Sequence, residues 1–175
     1  MTKPLTKNQA LALQRLAKQR RSSTQKKVEK LKREGAHEVG TLNQREFFLA
    51  GLALYWGEGY KYGSGEVGFT NNSPAAIRFF IKWVRNVYKI PYTDFVCRVT
   101  INKTHQKYKK TIESSWSKIT GIPLESFTRA ALISTKTKKK YPNQKTYLGT
   151  LRVKVRRGTD LHRRIMGSLE HLMGL

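Results

Sequence analysis

The segment Phe47–Trp56, which reads FFLAGLALYW, constrains the fold most because none of its ten side chains is charged. Asn43 and Glu46 have the spacing of a helix capping box, and Gly57 allows the chain to leave a helix. We therefore predict a helix from about Gln44 to Gly57. A helix that is apolar on every side must be covered, yet ten residues are only about half of a membrane span. It is expected to be a core or interface helix.

A single carboxylate, Glu58, follows at the C-terminal end of this helix. The helix macrodipole leaves about half a negative charge there, so a bound cation would relieve the repulsion. Ala50, Ala53 and Gly57 recur at spacings of three and four, which places small side chains on one stripe and lets a second helix approach closely. The alternative for Glu58 is a solvated carboxylate at a helix end, the commonest fate of a glutamate.

The stripe and the turn Gly57-Glu58-Gly59 resemble the LAGLIDADG homing endonucleases, in which such helices from two subunits or two repeats cross side by side. Aligned from Glu58, the segment from Gly51 to Gly59 matches the nine-residue motif, with Trp56 where another acid often stands. The resemblance implies that Glu58, with Gly57, holds Mg²⁺ or Mn²⁺. It also implies a helix–helix dimer interface made by Ala50, Ala53, Leu54 and Gly57.

One motif copy in 175 residues predicts a homodimer, with one Glu58 for each DNA strand, and a pseudo-palindromic target site. The resemblance implies an αββαββα fold, in which an antiparallel, saddle-like sheet carries its helices on one face and binds DNA with the other. Lys61, three residues after Glu58, and Lys103, at a predicted strand end, are candidate lysines of the catalytic pocket.

The charge balance indicates a polyanionic partner. The chain has 35 Lys and Arg against 11 Asp and Glu, a formal net charge of +24, which is typical of nucleic-acid-binding proteins. Hydrophobic residues make up 38% of the chain, enough for one core. The single cysteine, Cys97, excludes an intrachain disulfide, and no signal peptide or transmembrane segment is recognised. We therefore expect an intracellular, cytoplasmic protein with no membrane partner.

Residues 1–40 are interpreted as a basic helical N-terminal arm, distinct from a domain at residues 41–175. The arm contains eleven basic and three acidic residues, a net charge of +8, and too few apolar residues for a core. We predict two helices broken near Ser22 and Ser23. Two interpretations stay open: an arm that lies along phosphates and releases condensed counterions, or a solvated leader that keeps the protein soluble.

Strands and helices alternate after residue 58, which predicts an α+β fold with helices on one face of an antiparallel sheet. Ser73 and Pro74 have the character of a helix start, and Gly121 ends a helix that begins near Thr104 and is interpreted as an insertion. Residues 95–102 alternate between apolar and largely polar side chains, as in a strand covered on one face. Further strands are expected near 66–70, 129–135 and 147–155, with a last helix from about residue 159.

Cations concentrate near the C-terminal strands. Between Ser126 and Thr159 there are ten basic residues and no acidic ones. A two-stranded ribbon fits the major groove of DNA, where Arg reads guanine and Lys reaches phosphates. The alternative is a charged edge strand that prevents aggregation. The candidate DNA contacts lie on two strands and on an expected hairpin between residues 133 and 149: Arg98, Thr100, Asn102, Lys136, Lys138, Lys139, Lys140, Lys145, Arg152, Lys154 and Arg156.

Together these features indicate a metal-dependent, sequence-specific endonuclease that hydrolyses double-stranded DNA. Divalent metals held by carboxylate and phosphate oxygens acidify the attacking water and stabilise the leaving alkoxide. Mg²⁺ suits such a site because it needs few protein ligands. Two alternatives stay open: a DNA-binding transcriptional regulator on the same scaffold that does not cleave, and an RNA-binding intron maturase.

Overall fold

A computed structural model describes residues 6–63, 65–134 and 147–174. The chain divides into two compact units, the first ending at Asn43 and the second beginning at Gln44. None of the described helices combines the length and the hydrophobicity that crossing a membrane requires.

The first unit is built on a single helix, α1, which spans Lys7–Val39. Thr6 and Gln9 form a reciprocal capping box at its start, and none of its residues is buried. The predicted break near Ser22 and Ser23 is wrong, because α1 runs through both residues. Serine costs a helix only about 0.5 kcal/mol relative to alanine, and its neighbours here are good helix formers.

The second unit has the α+β composition that the sequence predicts, with four further helices and four strands among its described residues. The αββαββα order is wrong, because one helix separates the first two strands and another separates the second strand from the third. Each of these helices follows a single strand, where the expected order has a pair. The elements are α2 (Gln44–Glu58), β1 (Gly68–Asn71), α3 (Pro74–Tyr88), β2 (Phe95–Asn102), α4 (Lys109–Thr120), β3 (Ala131–Ile133), β4 (Thr150–Val155) and α5 (Thr159–Met173).

The sheet is mixed, with the strand order β1-β4-β2-β3. β4 pairs antiparallel with both β1 and β2, whereas β3 pairs parallel with β2. The expectation of an entirely antiparallel sheet is therefore wrong, and so is the hairpin expected between residues 133 and 149, because β2 lies between β3 and β4. A parallel pair needs a long crossover connection, and α4 with its flanking turns provides one between β2 and β3.

The core lies on one side of the sheet. Side chains alternate along β2 as predicted, with Phe95, Cys97, Val99 and Ile101 buried and the residues between them partly exposed. β4 alternates in the same way. We call the partly exposed side of the sheet the outer face. Its residues are Thr70, Val96, Arg98, Thr100, Asn102, Thr150, Arg152 and Lys154.

Two helix boundaries read from the sequence are confirmed. The Ser73 hydroxyl accepts a hydrogen bond from the Ala76 amide, and Pro74 is the first residue of α3. Gly121 has a φ of 73° and its amide donates to the Ser117 carbonyl, which closes α4. The start near residue 104 falls within a 3₁₀ segment that precedes α4.

Helices α2 and α3 approach closely at Gly51. A Cβ at this position would overlap the indole ring of Trp83, so only glycine fits. The Trp83 Nε1–H donates to the Phe48 carbonyl at 3.1 Å, which fixes the ring against α2. This contact sets which face of α2 turns toward the core.

Candidate functional site

The turn after α2 is attached to the free edge of β1. We call residues 58–61 the motif turn. The Gly59 amide donates to the Tyr55 carbonyl at 2.7 Å, Gly59 pairs antiparallel with Phe69, and the Tyr60 amide donates to the Gly68 carbonyl at 3.0 Å. A Cβ on Gly59 would clash with Tyr55, which explains this glycine. The sheet therefore fixes the backbone that carries Glu58.

Glu58 is exposed and, among the described residues, has neither an ion pair nor a hydrogen bond to its carboxylate. Lys61 does not pair with it. Instead, the Lys61 Nζ donates to the Trp56 carbonyl at 2.5 Å, at the end of α2 where a cation complements the helix dipole. Both oxygens of the Glu58 carboxylate remain available to a ligand.

Two side chains contact the carbonyl oxygen of Tyr60 in the motif turn. The Tyr55 hydroxyl donates to it at 2.6 Å, and the His162 Nε2 lies 3.2 Å from the same oxygen, where a hydrogen bond requires the proton on Nε2. Burial raises the pKa of Tyr55 to about 12, so its hydroxyl remains a donor at neutral pH. The Tyr60 hydroxyl in turn shares a hydrogen bond with the Thr70 hydroxyl at 2.8 Å.

Sequence reasoning did not select Tyr55, Tyr60, Thr70 or His162 for these roles. His162 lies 102 residues after Tyr60 in the chain, so no local spacing indicates the contact. The burial of Tyr55 could be predicted from its place in the apolar helix. Its hydrogen bond to the Tyr60 carbonyl could not.

One face of α2 is left uncovered by the described residues. Ala53 and Gly57 are exposed, Trp56 is 51% exposed, and Ala50 and Leu54 are partly buried. A Cβ on Gly57 would meet open space. Within the described part of one chain, the core on α3 and β1 covers only the side of α2 that holds Gly51 and Tyr55. Burial on every side within the core is therefore wrong, and the alternative of an interface helix stays a prediction. We call Ala53, Trp56 and Gly57 the exposed face of α2.

Two arginines stand opposite each other on the outer face. Arg98 and Arg152 are cross-strand partners in the β2–β4 register, which places their Cβ atoms about 5 Å apart. Neither forms an ion pair with a described residue. The Arg98 Nε is buried, and none of the described residues forms a hydrogen bond with it. Like charges opposite each other destabilise a sheet, so an anion bound between them would be favourable.

The arginine pair lies near the motif turn. Thr70 is the β1 neighbour of Arg152 and contacts Tyr60, so the order across the sheet is Tyr60, Thr70, Arg152, Arg98. The turn and Arg152 are separated by about two strand spacings, roughly 10 Å. The outer face therefore brings together two hydroxyls and two guanidinium groups that have no ion-pair partner among the described residues, with the motif turn at its β1 edge.

The other predicted residues are placed differently. Lys154 forms an ion pair with Glu66, so its charge is already matched. The Asn102 side chain accepts from the Thr104 amide at 3.0 Å and caps a 3₁₀ segment. Thr100 lies beside Thr150 on the outer face, and Arg156 is exposed beyond β4. The predicted DNA contacts of the hairpin lie outside the described residues: Lys136, Lys138, Lys139, Lys140 and Lys145.

Lys103 is exposed at the far end of β2. Gly59 pairs with Phe69, and the register aligns Phe69 with Val153 and Cys97. Lys103 is six residues beyond Cys97, or roughly 20 Å along the strand at about 3.3 Å per residue. One chain therefore does not bring Lys103 and Glu58 into one pocket.

The donor set at the end of α2 consists of oxygen atoms. Within the described ranges, no group of three or more His, Cys, Asp or Glu side chains is positioned to hold a metal. Glu58 nevertheless offers an exposed carboxylate and Gly57 a carbonyl near the helix end, and Mg²⁺ and Mn²⁺ prefer such ligands. A divalent cation bound here would need further oxygen donors from outside this pair of residues.

Comparison with protein-family models, curated proteins and solved structures found nothing similar to this chain. The chemistry of the second unit therefore has to be inferred from its own side chains. A function has to explain three features of the described residues: two opposed arginines without ion-pair partners, a carboxylate without a partner, and an apolar helix face that is not covered.

Proposed function

We propose that the second unit is a metal-dependent, sequence-specific DNA endonuclease related to the LAGLIDADG homing endonucleases, and that it acts as a homodimer. The observation that carries the proposal is the exposed face of α2, which leads directly into the unpartnered carboxylate of Glu58. A second copy of the helix packed on this face would cover Trp56 and bring two copies of Glu58 together.

Dimerisation through α2 follows from the cost of leaving this face in water. Trp56 is a large side chain that is half exposed, and it is flanked by Ala53 and Gly57, whose small side chains allow two helix backbones to approach. A twofold axis makes such a contact self-complementary. The same axis would give the DNA site its pseudo-palindromic symmetry.

DNA binding is assigned to the outer face. Arg98 and Arg152 have no carboxylate partner among the described residues, and planar guanidinium groups bind phosphate oxygens or the edge of guanine in a bidentate manner. Thr70, Thr100 and Thr150 surround them with hydroxyl groups that can bind phosphate. Lys154 is assigned a structural role, because Glu66 already neutralises it.

Glu58 is assigned as the metal ligand, with the Gly57 carbonyl beside it. When bound, Mg²⁺ or Mn²⁺ would acidify the attacking water and stabilise the leaving oxygen. Tyr55 and His162 position the motif turn through the Tyr60 carbonyl and do not touch DNA. Lys61 keeps its ammonium group at the end of α2, where it lowers the negative potential beside Glu58.

A second candidate is a DNA-binding regulator that does not cleave. It is favoured by the sparse carboxylates, since the described part of the chain contains no group of three potential metal ligands. The arginine pair would serve this function equally well. The further alternative is an intron maturase that binds structured RNA. Comparing the binding of structured RNA with that of duplex DNA tests it.

The test is cleavage of a randomised plasmid library in Mg²⁺ or Mn²⁺, with the wild type, Glu58→Gln and the double variant Arg98→Gln/Arg152→Gln compared. The endonuclease gives discrete double-strand cuts that disappear in Glu58→Gln although this variant still binds DNA. The arginine double variant should lose site-specific binding and cutting. Tight, salt-sensitive duplex binding without metal-dependent cutting would favour the regulator, and preferential binding of structured RNA would favour the maturase.

A further inference from the structure

Helix α1 is divided into two halves of different charge. Residues 7–27 contain seven basic and no acidic residues, whereas residues 28–39 contain three of each. In the second half, Lys30 pairs with Glu34 and Lys32 with Glu29, each at 3.6 Å. We call residues 7–27 the acid-free half and residues 28–39 the ion-paired half.

The acid-free half contains no acidic residue that could neutralise its cations, and none of its residues is buried. Its cations, like the rest of α1, are not buried, and in a helix of 33 residues neighbouring cations repel one another. A bound polyanion would remove this repulsion and would release its own condensed counterions. We propose that the acid-free half of α1 is a second nucleic-acid-binding element, which contacts the phosphates of duplex DNA independently of the outer face of the sheet.

Duplex DNA fits this helix better than a membrane surface does. A helix that lies on a membrane needs one continuous apolar face, usually with aromatic residues. At 3.6 residues per turn, Arg20 and Lys27 fall on the same side of α1 as Leu13 and Leu31, so cations interrupt the apolar side. The helix contains no aromatic residue. At about 1.5 Å per residue the acid-free half is roughly 30 Å long, enough to follow several phosphates.

The ion-paired half has a different role. Its lysines Lys30 and Lys32 already form ion pairs with glutamates within one helical turn. Replacing them therefore lowers the net charge but removes few cations that are free to bind phosphate. It therefore supplies a control within the same helix. Three cations can be removed from either half, which keeps the change in net charge identical.

The experiment measures binding of the full chain to a labelled duplex of random sequence, in EDTA, at several salt concentrations. Arg15→Gln/Lys18→Gln/Arg21→Gln removes three cations that share one side of the helix. This variant should lower the slope of log affinity against log salt by about 2.7 and weaken binding about tenfold or more near 0.15 M salt. Lys30→Gln/Lys32→Gln/Arg33→Gln should lower the slope by less than about one. Circular dichroism checks that both variants keep the wild-type helix content.

Equal losses in the two variants would overturn the inference, because bulk charge would then explain binding, and so would no loss in either. Loss of binding to phosphatidylglycerol vesicles in the first variant, with duplex binding intact, would instead assign the half to membranes. Arg98→Gln/Arg152→Gln, measured beside them, separates the two proposals. If only the arginine double variant weakens binding, the inference about α1 fails and the proposed function stands. If only the variant in the acid-free half weakens binding, the inference about α1 stands and the DNA-binding role proposed for the outer face fails.

Discussion

Helices α2 and α3 are each 15 residues long and pack against one another, but they cover their apolar side chains differently. α3 buries five residues: Ile77, Phe80, Ile81, Trp83 and Val84. α2 buries only Gly51, Leu52 and Tyr55, although its sequence is more apolar. The difference shows that α3 buries its apolar side chains in the core, whereas α2 has a second apolar face that the described residues leave uncovered.

The largest expected effect comes from two glycines of α2. Gly51→Ala should lower the free energy of unfolding by about 3 kcal/mol, because the added Cβ overlaps the Trp83 ring. Gly57→Ala should leave it unchanged or raise it by up to about 1 kcal/mol, because its Cβ enters open space and alanine favours the helix. Urea unfolding at low protein concentration measures both. Similar losses for the two variants would mean that both faces of α2 are equally packed.

The next effect concerns assembly. Ala53→Glu should weaken self-association about 100-fold or more, because it would bury an unpaired charge at the proposed interface. Arg78→Glu, on the exposed side of α3, changes the charge in the same direction and should leave assembly unaltered. Sedimentation equilibrium over a concentration series measures the dissociation constants. A wild-type protein that is monomeric throughout, or a dimer that tolerates Ala53→Glu, would remove α2 as the interface.

A smaller effect distinguishes Tyr55, which is buried, from Tyr88, which is partly buried but has a buried hydroxyl. The Tyr55 hydroxyl on α2 donates to the Tyr60 carbonyl, whereas the Tyr88 hydroxyl on α3 is buried without a hydrogen-bond partner among the described residues. Tyr55→Phe should therefore cost about 1 kcal/mol at neutral pH, and Tyr88→Phe about zero or a slight gain. Thermal unfolding of the two variants at pH 7 measures the difference. A larger loss for Tyr88→Phe would contradict this account of both hydroxyls.

The same tyrosines predict a pH dependence. Burial raises the pKa of both Tyr55 and Tyr88 to about 12, with Arg164 partly opposing the rise at Tyr88. The folded state therefore holds these protons more tightly than the unfolded state, so stability is full below about pH 10 and falls as the pH approaches 12. Each Phe variant should lose less stability than the wild type between pH 9 and 11.5 in equilibrium unfolding. An unchanged pH profile in both variants would contradict the assignment.

Local patterns were enough to predict the elements that pack by simple alternation or capping. The bounds of α2, the Ser73-Pro74 start of α3 and the alternation of β2 all follow from residues near one another in the chain. The strand order could not be predicted from local patterns. β3 pairs parallel with β2 through a crossover connection, and no local pattern encodes the geometry of that connection. The αββαββα order came from the resemblance and did not describe the connections.

Long-range contacts account for what the sequence did not reveal at the candidate site. Lys154 was selected as a DNA contact from its place in an alternating strand, but its partner Glu66 lies 88 residues earlier. Gly51 was not recognised as a contact point, because the indole that requires it comes from α3. Arg98 and Arg152 were each selected, yet only the register makes them a directly opposed pair.

The central claim is that α2 joins two chains so that each Glu58 serves one DNA strand. The most direct measurement uses a heterodimer of one wild-type subunit and one Glu58→Gln subunit, which is purified through a different affinity tag on each subunit. Its substrate is a supercoiled plasmid that carries the selected site. The account predicts nicked circles from the heterodimer, linear plasmid from the wild-type dimer and no product from the Glu58→Gln dimer. Linear product from the heterodimer at the wild-type rate, or cutting by the Glu58→Gln dimer, would contradict it.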